Sequence, residues 1–358
     1  MQSDFFQKSF MRIDSSTIEN ILSAASKAVI VGHFNPDGDS IGSVTAMWHY
    51  LSGRGTQATP ILPSIHPESL AFLDPGSENP KGRILIAKDN LDAAKEAIAE
   101  ADTIICLDFN RLSRTEFLEE AISSSKARKI LIDHHPFPEE GQFDAVCSRT
   151  DVSSACELLF WVLMSLPDIA GDVQRIPLKC AESLYVGMMT DTNNFSNSVR
   201  DSTFEMASKM LERGVDKDDL QEKVLHCYTI ERTRLMGHLL KDKLVYLEKE
   251  HTAYMTLSNA EKEAHGFKPG DSEGFVNLPL AVSDVRISAL FTQDSSGEYI
   301  RVSLRSKGKT DVNLLARRYF NGGGHVNASG GRLYIPLEKV PEYFENSLKK
   351  YLDEENIF

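Results

Sequence analysis

The sequence predicts an α/β protein: an N-terminal, mostly parallel sheet with helices on both faces, a helical connector, and a smaller C-terminal α/β domain. Three observations predict it. Short apolar runs at residues 28–32 (AVIVG), 83–87 (RILIA), 103–108 (TIICLD) and 129–133 (KILID) alternate with helical or polar segments, and continuous apolar strands of this kind belong to sheets covered on both faces. Mixed strand and helix patterns return after residue 250. The length, 358 residues, exceeds what one core usually organises. The expected divisions are 1–215, 216–249 and 250–358.

Each later element has its own signal. Ser154 and Glu157 read as a capping box opening the apolar helix SACELLFWVLMSL. Residues 178–189 form a second helical pattern that runs into TDTNNF. Ser202 and Glu205 suggest another capping box before FEMASKMLERG, with Gly214 as the stop. Residues 217–248 are charged and helical in pattern, which suits a connector. Strands are expected at 252–257, 285–293, 299–306 and 331–335, and helices at 313–320 and 340–352.

Composition narrows the class. Apolar residues at 41% and charged residues at 25% exclude a disordered or fibrous chain. No window holds the roughly 18 apolar residues of a membrane span, and the N-terminus lacks the apolar core of a signal peptide, so a cytoplasmic location is expected. Five cysteines, Cys106, Cys147, Cys156, Cys180 and Cys227, contain no C-x-x-C pair and read as buried, reduced thiols. The net charge of -13 repels long polyanions. Long duplex nucleic acid is therefore not an expected partner, whereas short pieces drawn in by local cations are.

Four clusters carry candidate chemistry. His33, Asp37 and Asp39 lie in HFNPDGDS, directly after an apolar strand, where Pro36 and Gly38 can force a turn that aims all three at one point. Asp108 closes TIICLD, Asp133-His134-His135 closes KILI, and Asp191 follows an apolar helix. A carboxylate near a helix C-terminus is mildly unfavourable, so a compensating cation is worth seeking there, a surface aspartate being the simpler reading. Taken singly, each cluster also reads as a solvated turn, a cap or a satisfied histidine. Together they place acids and imidazoles at element ends that one sheet can bring together. His33, Asp37, Asp39, Asp108, His134 and Asp191 supply two imidazoles and four carboxylates, a mixture that favours manganese over magnesium, iron or zinc. Four carboxylates exceed the need of one divalent cation; two cations sharing one carboxylate balance the charge.

These residues resemble the DHH phosphoesterase superfamily. His33 to Ser43 fits H-x-N-P-D-G-D-x-x-G-S, Asp133 to His135 fits D-H-H, and Ser303 to Ser306 followed by Gly322-Gly323-Gly324-His325 resembles the accessory DHHA1 domain. The resemblance is greatest to the stand-alone DHH–DHHA1 group of oligoribonuclease/pAp phosphatases. It implies that His33 and Asp37 hold one metal, that Asp39, His134 and Asp191 hold the other, and that Asp108 bridges them. It also implies that Asp133 supports the ligands from behind, that His135 and Asn35 touch phosphate, and that Asp108, His134 and His135 take part in catalysis. One departure is Asn193, where many relatives have glycine after Asp191-Thr192; asparagine tolerates the left-handed backbone that such a turn needs.

The expected chemistry is hydrolysis of short oligoribonucleotides such as pApA, and of pAp, by in-line attack of a hydroxide held between two divalent cations. No covalent intermediate is expected. Residues 301–332 hold Arg301, Arg305, Lys307, Lys309, Arg317, Arg318 and Arg332 against the single acid Asp311. Beside them, Arg305, Ser306, Gly322, Gly323, Gly324 and His325 read as a clamp for a terminal phosphate. A solvated basic face is the plainer reading of that run. The expected partner is a small nucleotide or a short single strand of RNA or DNA, not a membrane, with a homodimer allowed. Alternatives are a cyclic-di-AMP phosphodiesterase, an exopolyphosphatase, and a non-catalytic nucleotide sensor on the same scaffold. A larger nuclease for long single strands fits the acidic chain less well.

Overall fold

The computed structural model describes residues 15–225 and 228–355; the N-terminal segment and Cys227, on which two of the readings above fall, lie outside them. The chain divides into two compact units, Met1–Cys227 and Tyr228–Phe358.

The first unit carries strands β1 (Lys27–Val31), β2 (Gln57–Leu62), β3 (Leu85–Ile86), β4 (Thr103–Leu107), β5 (Arg128–Asp133) and β6 (Ala145–Ser148). They form one sheet in the order β3-β2-β1-β4-β5-β6, and every pairing is parallel. Its helices are α1 (Ser16–Ala24), α2 (Gly38–Gly53), α3 (Leu91–Glu100), α4 (Glu119–Ser124), α5 (Ala155–Ser165), α6 (Leu178–Asp191), α7 (Asp201–Arg213) and α8 (Lys217–Leu225). Alternate strand residues point to opposite faces. Ile30, Ile105 and Ile130 enter the larger core with α2, α5 and α6; Val31, Ile104 and Leu131 enter a second core with Ala94 of α3 and Ile122 of α4. Both faces are covered, which is why these strands read as unbroken apolar runs.

Strand order reverses between β1 and β4. Successive strands leave β1 towards one edge and β4 towards the other, so the crossing helices part at that point and leave a crevice at the carboxyl ends of the strands.

The second unit builds β7 (Val245–Leu247), β8 (Thr252–Leu257), β9 (Ile287–Gln293), β10 (Ile300–Ser306), β11 (Gly323–Gly324) and β12 (Ala328–Leu333) into a sheet ordered β11-β12-β10-β9-β8-β7. Only β8 and β9 run parallel; the other pairs are antiparallel. Its helices are α9 (Ile230–His238), α10 (Asn259–Ala264), α11 (Val312–Tyr319) and α12 (Val340–Glu354). Phe291, Phe320 and Phe344 pack with α11 and α12 on one face, while Leu235 and Leu239 meet Met255 and Leu290 in a separate core.

The structure differs from the sequence pattern at several places. β2 has no counterpart among the expected strands because Pro60 argues against a strand. It is tolerated because the edge strand β3 reaches only Ile61 and Leu62. The stretch read as a connector is helical only as far as Lys243, and Val245–Leu247 pairs with β8. Leu220 and Val224 of α8 join the first core, whereas Leu235 of α9 joins a core of the second unit. The last strand begins at Ala328 rather than at residue 331.

Ser154 caps α5 by accepting from the Glu157 N–H, but the Glu157 carboxylate turns to the Ser153 N–H and hydroxyl. Ser202 is not a cap. Its hydroxyl donates to Glu157, and Thr203 accepts the Arg200 N–H at the start of α7. A buried carboxylate needing donors outcompetes the local cap. Gly214 does end α7, with φ of 100°. Cys106, Cys147, Cys156 and Cys180 are buried and unpaired. Among the described residues no helix is long and apolar enough to cross a membrane.

Candidate metal centre

The crevice at the β1–β4 reversal gathers the candidate ligands of the first unit. His33 stands two residues beyond β1. Its N–H donates to Ser40 Oγ at 3.1 Å, and its Nδ1 lies 2.9 Å from the Phe34 carbonyl. A carbonyl only accepts, so Nδ1 carries the proton and Nε2 faces the cluster. Asp37 is the N-cap of α2: one carboxylate oxygen accepts the N–H groups of Asp39 and Ser40, each at 3.1 Å. Its side chain is 50% exposed. Asp108 leaves β4 with φ of 64°, a left-handed conformation unusual for a residue other than glycine, and is buried.

Asp108 is shared between two imidazoles. One oxygen lies 3.4 Å from His33 Nε2 and the other 3.5 Å from His134 Nε2. His134 Nε2 also lies 3.7 Å from Asp39 and 3.8 Å from Asp191; His33 Nε2 lies 3.8 Å from Asp37. Ligand-type atoms of His33, Asp37 and Asp108 form one group within 4.8 Å of one another, and those of Asp39, His134 and Asp191 form a second. Asp133 is fully buried behind them. It accepts the His135 N–H at 3.1 Å and holds His135 Nδ1 at 2.8 Å. Asn35 is exposed beside His33, with φ of 54° and its N–H on Ser64 Oγ at 2.8 Å.

Two features unread in the sequence position this cluster. Asp39 is buried, and its carboxylate receives the backbone N–H groups of Ala155 at 2.6 Å and Cys156 at 2.8 Å, the start of α5. The helix N-terminus thus holds an anion by its free donors. The second feature is the crossing of α2 with α6. A Cβ at Gly42 would lie 2.7 Å from the Ser183 carbonyl, and one at Gly187 would lie 2.2 Å from Cys156 Sγ and 3.0 Å from the Asp39 carboxylate. Glycine at both positions lets α6 approach closely enough for Asp191, its last residue, to reach Asp39 and His134. Asn193 follows in the left-handed conformation with φ of 47°, the backbone for which asparagine is suited. The sequence holds Gly42 within its motif, but partners more than a hundred residues away leave no local signal.

Charge in the cluster is crowded. Burial pushes Asp39 well above the usual carboxylate range, reinforced by the charges of Asp108 and Asp191. Burial also pushes Asp191 up, to about 6. Burial opposes ionised Asp108, but the hydrogen bonds of His134 and His33 hold it well below the ordinary range. Burial lowers both histidines, and their carboxylate neighbours more than reverse that, raising each to about 10. The ion-pair partners of these carboxylates are imidazoles. Gathered anions whose charged side-chain partners among the described residues are imidazoles, with nitrogen and oxygen donors within coordination reach of each other, fit divalent metal binding.

The second unit places the other candidates on and beside β10 to β12. Arg305 is on β10 and sends one N–H to the Leu304 carbonyl at 3.0 Å. The buried Ser306 hydroxyl donates to Thr310 O at 2.6 Å and accepts from Asn327 at 2.9 Å; it fastens two loops. The glycine turn is also engaged. Gly322 N–H donates to Ala316 O, Gly324 N–H to Asn313 Oδ1 and His325 N–H to Ala328 O. A Cβ at Gly322 would lie 1.8 Å from the Gly330 carbonyl, so this glycine serves the close approach of β11 to β12. Arg318 pairs with Glu354 and Glu355.

Fold and cluster together define a metal-site α/β class, and comparison places the chain within it. Residues 27–188 match the DHH family, N-terminal domain, and residues 251–353 match the DHHA1 domain. The chain belongs to the DHH family, with a DHHA1 domain following. It is similar to a probable bifunctional oligoribonuclease and PAP phosphatase NrnA of Streptococcus mutans, at 26% identity over 92% of this chain and 96% of that protein. The bifunctional oligoribonuclease and PAP phosphatase NrnA of Bacillus subtilis is also 26% identical, over 84% of this chain and 88% of that protein. Among solved structures, an exopolyphosphatase-related protein from Bacteroides fragilis superposes with a TM-score of 0.86 at 37% identity, covering 96% of this chain and 98% of that one.

Proposed function

We propose that this protein is a metal-dependent phosphoesterase that hydrolyses short oligoribonucleotides and pAp. The observation that carries the reading is Asp108, whose two oxygens face two different imidazoles, 3.4 and 3.5 Å away, and so divide six donors into two sets. In this reading His33 and Asp37 hold one cation, Asp39, His134 and Asp191 hold the other, and Asp108 is common to both. Manganese is the ion the donor mixture favours. Two bound divalent cations supply an activated water and offset the charge of the phosphoryl group.

The chain's own residues do the rest. Asp133 keeps the His135 ring oriented beside the cluster. The N-terminal amides of α5 keep Asp39 from turning away. Asn35 adds an exposed side-chain amide beside His33. In the second unit Arg305 and His325 are the side chains that would meet a phosphate; the turn amides of Gly322, Gly324 and His325 have acceptors within the unit. The names of the two curated relatives support the substrate class.

The test is a panel of pAp, pApA, a five-nucleotide RNA, cyclic-di-AMP and polyphosphate, assayed with manganese, with magnesium and with chelator. Turnover of pAp and pApA that chelator abolishes is expected. Turnover of polyphosphate alone, or of none of these, overturns the assignment.

A further inference from the structure

Next to His135, on the side of β5 and β6, lies a cavity of about 470 Å³ lined by His135, Phe137, Glu140, Val146, Ser148 and Thr150, together with the prolines flanking Phe137. Its size falls in the range of small-ligand sites, about 300–1,000 Å³. It opens at the carboxyl end of β6, the same end of the sheet as the cluster, and shares His135 with it.

Phe137 is the unusual member. It is 68% exposed, with φ of 61°, so a large ring is both kept in water and held in a backbone conformation that costs a bulky residue energy. The loop is not free to relax. Asn110 Nδ2 donates to the Pro136 carbonyl at 2.6 Å, and the Glu139 N–H donates to the Asn110 carbonyl at 2.8 Å. An exposed ring on a pinned loop beside the cluster offers a stacking surface.

The chemistry of the lining selects what stacks there. No lysine or arginine lines the cavity, and Glu140 contributes a carboxylate, so a second phosphate is repelled. Phe137, Val146 and the prolines suit a flat apolar face. Ser148, Thr150 and Glu140 suit the polar edge of the same plane. We propose that this cavity is a nucleobase subsite, holding the base of the nucleotide adjacent to the scissile phosphate against Phe137. The proposal rests on the phosphoesterase reading for its substrate, but its geometry belongs to the first unit alone.

The experiment uses the full chain. Phe137→Ala is expected to raise KM for pApA about tenfold with little change in kcat, and to have no effect on a pApA analogue lacking the corresponding base. Phe137→Trp keeps a stacking ring, so its KM should match the parent, and AMP should quench the introduced indole above the background of the buried Trp48 and Trp161. An unchanged KM in Phe137→Ala, or an indole indifferent to AMP, overturns the subsite. If AMP quenches the indole while no phosphoester in the panel is cleaved, the subsite stands and the phosphoesterase reading falls.

Discussion

Two glycine-bearing motifs, one in each unit, look alike as text and behave differently as structure. In HFNPDGDSIG, the glycines at 38 and 42 bring helices together so that neighbouring carboxylates and imidazoles converge; a Cβ at Gly38 would lie 2.1 Å from Thr190 Oγ1. In NGGGH, the glycines bring two strands together, and the turn's N–H groups are taken up by Ala316, Asn313 and Ala328. The first motif leaves its carboxylates facing one another and the imidazoles. The second satisfies itself. Glycine in a motif therefore signals close approach, and what approaches decides whether the site can take a ligand.

The largest expected effect breaks the first motif at its shared ligand. Asp108→Asn should lower kcat/KM by at least about 10³-fold and remove any rise in Tm that manganese gives the parent, read by calorimetry with and without metal. A variant with parental activity and parental metal response would dissolve the contrast between the motifs. Next come the glycines that both motifs need for contact. Gly42→Ala and Gly322→Ala each drive a methyl into backbone oxygen, at 2.7 and 1.8 Å, and each should cost about 1–3 kcal/mol in urea unfolding. Only Gly42→Ala should also weaken metal binding, because only there does the displaced helix carry a ligand.

How much of this was legible follows from where the partners lie. The strands leading to His33, Asp108 and Asp133 announce themselves as apolar runs, and three of the four site clusters lie at their ends, so the sheet and most of the cluster could be read locally. Asp191 was legible as an acid at an unfavourable helix end. What could not be read is held by distant partners. The amides of Ala155 and Cys156 hold Asp39 from 116 and 117 positions away, and Ser202 serves Glu157 rather than its own helix. β2 was hidden by Pro60, which is excused only by the shortness of β3. The glycine turn beside the basic run at 301–332 read as a phosphate clamp; what its sequence did not show is that Ala316 and Asn313 of α11, and Ala328, take up the N–H groups of Gly322, Gly324 and His325.

Smaller effects sharpen the contrast. Glu261 in the second unit has a lysine where Asp39 and Asp108 have histidines: Lys243 at 2.8 Å, with two bonds from Ser258 and His238 at 3.2 Å. Burial opposes its ionisation, but these partners bring its carboxyl down to about 2. A depressed carboxyl stabilises the fold above its unfolded value near 4.5 and loses that contribution as pH falls towards 2. Glu261→Gln should therefore lower Tm by about 2–4 °C at pH 7, and the gap to the parent should close as thermal scans are taken to pH 3 and below. The smallest effect is Gly323→Ala. Its methyl would meet only side-chain atoms at ordinary distances, 3.5 and 3.7 Å, so unfolding free energy should stay within about 0.5 kcal/mol of the parent. A larger loss would mean that this glycine, too, serves contact.

The margins of the two sheets have a consequence for how copies of the molecule meet. The outermost strands are β3 and β11 with two residues each, β7 with three and β6 with four. A border that brief exposes few backbone groups for a stranger's strand to join. Crowding at high concentration thus gives neighbouring molecules little ladder to extend, and any pairing of copies has to be made by side chains rather than by sheet annexation.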